Sequence, residues 1–158
     1  MKRVLFFLSI GLFALSCGGN FASEGDATGS KPRPQSMVAD PDDGKGIGEI
    51  KNVELNDPLL PAMVASGKAI YEMKCAACHK LTDQRVVGPG WKGVTARRQP
   101  EWIMNMTTNV EVMLDKDPAA RELLKECLVR MPNQNLSVGD ARDVLEFMYA
   151  NDGKEVGS

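Results

Sequence analysis

Histidine is almost missing from this sequence: His79 is the only one among 158 residues. Within one chain, that excludes every centre that needs two imidazoles. Cysteine is also scarce, with four residues, so a dense disulfide framework is excluded. Aromatic residues make up only 6% of the chain, little for building a core, although 43% of residues are hydrophobic. Neither charge sign is in excess: 19 Lys and Arg face 21 Asp and Glu, for a formal net charge of −2. Such a balance gives no case for a nucleic-acid partner. No apolar run is long enough to span a bilayer, which takes about 20 residues. No alternating strand pattern of useful length appears either, so an all-α domain is expected.

The ends of the sequence divide it. Lys2 and Arg3 precede a short apolar run from Val4 to Leu15, the pattern of a signal peptide over residues 1–16. Ala14-Leu15-Ser16-Cys17 resembles the site at which bacterial lipoproteins are cut before a lipidated cysteine. Cys17 is therefore the expected lipid attachment point, placing the protein on the periplasmic side of the cell envelope, anchored to a membrane. The alternative is ordinary cleavage after Ser16 with Cys17 unmodified. Residues 17–57 are rich in Gly, Ser, Pro and Asp, and residues such as Pro41, Gly44, Gly46 and Gly48 interrupt any periodic element. They read as a flexible linker.

A helical domain is expected over 58–152, with a short tail at 153–158. Pro61 suits the first turn of a helix running to about Cys75, with Ala62, Ala65, Ala69, Ile70 and Met73 as its inward side. Pro100 opens a second helix carrying Trp102, Ile103 and Met106. Asp117-Pro118 begins a third, in which Leu123, Leu124, Cys127 and Leu128 cluster. Ser137 with Asp140 forms a capping-box pattern before a last helix whose apolar residues are Val144, Leu145, Phe147 and Met148.

Chemistry concentrates at Cys75-Ala76-Ala77-Cys78-His79, the attachment pattern of haem c. Two thiols three positions apart can each add to a vinyl group on one haem edge. The histidine that follows is then held under the iron as an axial ligand. A thioredoxin-like pair would want a βαβ setting, and zinc would want further ligands nearby. With one histidine, the second axial ligand must be another residue type. Methionine is the natural candidate. Among the nine methionines, Met131 stands out because Pro132 follows it and a capped helix begins soon after. Met113, expected in a loop, is the second choice.

From about Leu59 to Ala150 the sequence resembles the class I monohaem cytochromes c of bacteria. Gly67 and Tyr71 stand before the haem motif as that family's glycine and aromatic do, implying a close crossing of the first and last helices with Phe147 near Gly67. Gly88-Pro89 matches the family loop, whose proline carbonyl accepts a hydrogen bond from the axial histidine, and Met131-Pro132 matches the family's axial methionine. The resemblance implies the class I fold, one covalent haem c held by Cys75 and Cys78, and iron ligation by His79 and Met131. The stretch between Trp91 and Met131 is long and departs from the family pattern. There Trp91, Arg97, Arg98 and Trp102 are candidate haem contacts, with Pro89 beside them. Cys127 reads as a small buried apolar residue, or alternatively as a thiolate ligand or dimer cysteine.

These features lead to the expectation of an electron carrier rather than an enzyme. It would take electrons from the respiratory chain and pass them to a terminal reductase or oxidase. The succession of lipoprotein signal, linker and cytochrome domain is similar to small cytochromes associated with nitrous oxide reductase, which makes that enzyme a candidate acceptor. The alternatives are a fixed subunit of an oxidase or dehydrogenase complex, and a haem enzyme or gas sensor with an open distal site.

Overall fold

The computed structural model describes residues 43–127 and 129–158. The expected signal peptide, Cys17 and most of the expected linker lie outside them. Among the described residues, six α-helices follow in order: α1 (Pro61–Ile70), α2 (Val94–Arg97), α3 (Pro100–Thr108), α4 (Val110–Lys116), α5 (Pro118–Cys127) and α6 (Val138–Asn151). Among the described residues there is no strand, only two isolated bridges. Helix α1 runs on into one wider π-helical turn, Tyr71–Cys75.

Helix starts follow the local chemistry. Pro61 and Pro100 open α1 and α3, where a missing N–H costs nothing. Asp117 caps α5, its carboxylate accepting from the Ala120 amide at 2.8 Å. Ser137 and Asp140 form a reciprocal capping box at α6.

The first and last helices cross at Gly67. A Cβ there would strike the Asp143 carbonyl and lie 2.9 Å from Phe147 Cβ, so only glycine lets the backbones approach this closely. The inward side of α1 is therefore Val64, Gly67, Ile70 and Tyr71. This corrects the expected side: Ala62, Ala65 and Ala69 face solvent, and Met73 is 76% exposed. Small residues marked the wrong stripe, because the close contact is made by the glycine rather than the alanines. Trp102, Ile103, Met104, Val110, Met113, Leu114, Val144, Leu145 and Met148 fill the interior beside it.

Two boundaries differ from the sequence reading. Residues 45–56, assigned to the linker, lie as a strap along α3, α4 and α6. Buried Asn105 donates to the carbonyls of Lys45 and Ile50, both at 3.0 Å, and accepts from the Ile50 amide. Glu101 accepts from the Val53 amide, and Glu146 from the amide and side chain of Asn56. Ile47, Ile50, Val53 and Leu55 pack on the core. Gly48 is needed here for close approach, because a Cβ would collide with Asn105; Gly46 has φ of +73° and abuts Met113. The tail also joins the fold: Leu59 donates to Glu155 at 2.9 Å and accepts from Gly157 at 2.8 Å. Met113 also differs from the expected loop position. It is fully buried in α4, a helix the sequence reading lacked, and its sulfur accepts the Ile47 N–H at 3.0 Å.

Candidate functional site

The π-helical turn delivers the motif. Its wide loop ends at Cys75, whose carbonyl accepts from both the Cys78 and His79 amides, at 3.0 and 2.9 Å. The chain therefore folds tightly over 75–79. Burial pushes the Cys75 thiol up to about 11; nearby Cys78 adds to this and Lys74 opposes it. The free thiol is thus neutral, and it stands in for the thioether sulfur of the haem-bound protein.

A cavity of about 690 Å³ has Cys78, His79 and Met131 in its wall. A smaller one, of about 40 Å³, shares these three and adds Cys75. The sequence-separated donors at 75, 78, 79 and 131 are thereby brought to one place. Met113 is not among the residues lining either cavity.

His79 is held from several sides. Its Nδ1 lies 2.8 Å from the Pro89 carbonyl. A carbonyl only accepts, so Nδ1 carries the proton and Nε2 keeps a lone pair for a metal. Burial lowers the pKa of His79 while the Pro89 hydrogen bond opposes that shift, so the neutral ligating form is favoured. Gly88 lies under the ring, where a Cβ would come within 2.9 Å of Nε2. Tyr71 donates its hydroxyl to the His79 carbonyl at 2.8 Å, and the Tyr71 and His79 rings both flank Trp91, with centroids at 4.9 and 5.7 Å. The Tyr71 hydroxyl contact went unread in the sequence; only the hydroxyl on an aromatic four residues before Cys75 hints at it.

Trp91, Arg97 and Arg98 also line the large cavity. Arg97 is steadied by a 2.7 Å bond to the Lys92 carbonyl, and Arg98 lies 4.7 Å from the Trp102 ring centroid. Trp102 lines the large cavity as well, with its indole N–H donated to Asp117 at 3.1 Å and its ring left for the cavity. Cys127 lines the cavity too, but is not fully buried. Its sulfur accepts from Arg85 at 3.1 Å, so it is not a plain core residue. Apolar side chains from α3 and α5, among them Met106, Leu123 and Leu124, complete the wall.

An apolar cavity that has Cys78, the oriented His79 imidazole, the Met131 sulfur, Arg97 and Arg98 in its wall, with Cys75 in the smaller cavity that shares the first three, fits a haem c. A family model for cytochrome c matches residues 64–151. The chain belongs to the cytochrome c family. It is similar to the solved cytochrome c from Rhodothermus marinus, with 33% identity over 69% of this chain and 93% of that one, at a TM-score of 0.66. An engineered cytochrome c of that organism is 32% identical over 72% of this chain and 98% of its own, also at 0.66. No curated protein matches the chain. The expected all-α class I cytochrome c fold and the single covalent haem c are thereby established.

Proposed function

We propose that this cytochrome c is an electron carrier tethered on the periplasmic side of the envelope by lipid on Cys17, passing single electrons from the respiratory chain to a terminal reductase or oxidase. The family supports the haem electron-transfer role itself. One observation carries the carrier reading: His79 and Met131 both line the cavity that fits the haem, each offering one neutral donor. When bound, haem supplies an iron that takes up and gives back one electron. The chain's own part is to keep both axial positions filled and water away. That limits rearrangement between oxidation states, and a methionine ligand raises the potential. Cys75 and Cys78 would hold the haem edge, Pro89 orients the imidazole, and Arg97 and Arg98 would meet the propionates. Nitrous oxide reductase is one candidate acceptor.

Optical and magnetic spectra of the mature protein test this reading. The wild type should be low-spin with a His/Met signature, and Met131→Ala should become high-spin, bind small ligands and fall in potential. If Met131→Ala left the spectrum unchanged, the carrier reading would lose its basis. A mature mass without lipid would overturn anchoring at Cys17.

The second reading, an enzyme or sensor with an open distal side, draws support from the engineered Rhodothermus marinus cytochrome c bound to a carbene intermediate, 32% identical at a TM-score of 0.63. High-spin iron in the wild type would favour that reading. A complex surviving gentle solubilisation would favour the third, a fixed oxidase or dehydrogenase subunit.

A further inference from the structure

Helix α4 touches two segments that are far apart in sequence. On one side the strap docks against it: the Ile47 amide donates to Met113 Sδ, and Asn109, at its start, donates to the Ile47 carbonyl at 3.1 Å. On the other side lies the segment carrying Met131. Arg130 pairs with Asp115 at 2.7 Å, and Asn133 donates to Glu111 at 3.3 Å. Met131 is thus bracketed by two residues, at 130 and 133, that both hold on to α4. Its own backbone takes no part in a helix, and Asn135, just beyond, has φ of +51°. Beyond α4, the segment is held by the Lys74 ammonium on the Gln134 carbonyl at 3.2 Å and by packing of Met131 and Leu136 on the core.

We infer that the strap and α4 together form a brace that positions Met131 at the haem. Asp115 and Glu111 act as positioning residues, and strap docking through Asn105 and Met113 sets where α4 lies. The inference rests on Met131 being the distal ligand, which the Met131→Ala spectrum decides separately. The strap's hydrogen bonds are partly buried and end on buried side chains, since Asn105 has no exposed surface and Glu101 is 7% exposed. The contacts from α4 to the methionine segment are solvent-exposed, with Arg130 and Asp115 side chains 52% and 60% accessible. Loss of the strap therefore has the larger effect. The apolar residues at 47, 50, 53 and 55, with glycines where the chain meets Asn105 and Met113, are the sequence trace of this brace.

The experiment uses the full haem-loaded chain. Three measurements are made: cyanide binding rate to the ferric haem, the His/Met absorption signature, and hydrogen exchange at the Ile47, Ile50 and Val53 amides. Gly48→Ala places a Cβ against Asn105 and should undock the strap. The three amides should lose protection, and cyanide should enter about tenfold faster or more, as expected when several partly buried hydrogen bonds are lost. The double variant Gly46→Val/Gly48→Val is the stronger form if the single one stays docked. Asp115→Asn/Glu111→Gln, on the surface, should keep the strap protected yet speed cyanide entry about two- to fivefold, the range exposed pairs give. Asp115→Glu should restore the rate. Unchanged cyanide entry and an unchanged His/Met signature in a variant whose strap amides have lost protection overturn the brace, as does an unchanged rate in the α4 variant. A Met131→Ala protein that stays low-spin removes the ligand reading instead, a distinct outcome.

Discussion

Tyr71 donates its hydroxyl to the backbone carbonyl of His79 across 2.8 Å, while its ring packs against Trp91 and Phe147. One side chain thus ties the first helix, the last helix and the residue after the haem cysteines together. Burial raises its pKa, with the nearby Cys75 and Glu72 adding to the shift, so it remains a donor throughout the neutral range. Tyr71→Phe keeps the ring and deletes the bond, leaving the His79 carbonyl without this partner. It should cost about 0.5–1.5 kcal/mol, read as a lower denaturant midpoint of the holoprotein with unchanged slope. Tyr71→Ala should cost several times more, because a buried ring is lost as well. Equal midpoints for wild type and Tyr71→Phe would contradict a bond that matters.

Much of this architecture is legible in the sequence because covalent and capping chemistry is local. Cys75, Cys78 and His79 are recognised by their spacing, Pro100 and Asp117 by where helices can begin, and Ser137 with Asp140 by reciprocal bonding. The strap is not legible in that way. Gly46 and Gly48 are breakers in one setting and close-approach residues in another, and only Asn105 and Met113, some sixty residues away, decide between them. The inward side of α1 escapes for a similar reason, since alanine spacing says nothing about which stripe meets α6. Helix α4 is short and joined to α5 through the Asp117 cap, so Met113 reads as loop until its burial is seen.

Gly67→Ala tests the crossing of α1 with α6. The added methyl would meet the Asp143 backbone, which cannot move aside as a flexible side chain can. Overpacking of this kind costs about 1–3 kcal/mol, more than the fraction of a kilocalorie that alanine gains in a helix. Thermal unfolding of the holoprotein should therefore begin earlier, with the haem still covalently attached. A rise in melting temperature would show that the two helices can separate without loss.

Asp152, just past the end of α6, binds the start of α2, the helix that carries Arg97. Burial raises its carboxyl, but bonds from Thr95 Oγ1 and the amides of Gly93 and Thr95, with Arg97 nearby, outweigh that and hold it below the ordinary 3.8. A depressed pKa stabilises the fold above the unfolded value, and that contribution is lost as pH falls through the folded one. Asp152→Asn should be less stable than wild type at neutral pH. The gap between the two should narrow as pH drops below the ordinary carboxylate range. A gap that stayed constant into acid would mean that the charge contributes nothing.

The charge around the haem cavity is less one-sided than the sequence suggests. Between Lys80 and Arg98 stand Lys80, Arg85, Lys92, Arg97 and Arg98 against Asp83 alone. In the fold, Arg85 is paired with Glu126 and Arg130 with Asp115, both at 2.7 Å. Among the described residues, no carboxylate pairs with Lys80, Lys92 or Arg97, and Lys92 and Arg97 line the haem cavity. Positive charge there should speed encounter with an acidic partner. The bimolecular electron-transfer rate should fall as ionic strength rises from 0.01 to 0.1 M, as the Debye length shrinks from ~30 to ~10 Å. Lys80→Glu and Lys92→Glu should slow the low-salt rate with an unchanged haem spectrum. Arg85→Gln should alter it little, because its charge is already spent on Glu126. A rate that stays flat across that salt range would leave the exposed Val87 and Val129 at the cavity wall as the contact instead. A larger loss from Arg85→Gln than from Lys92→Glu would show that the pair with Glu126 opens when the partner binds.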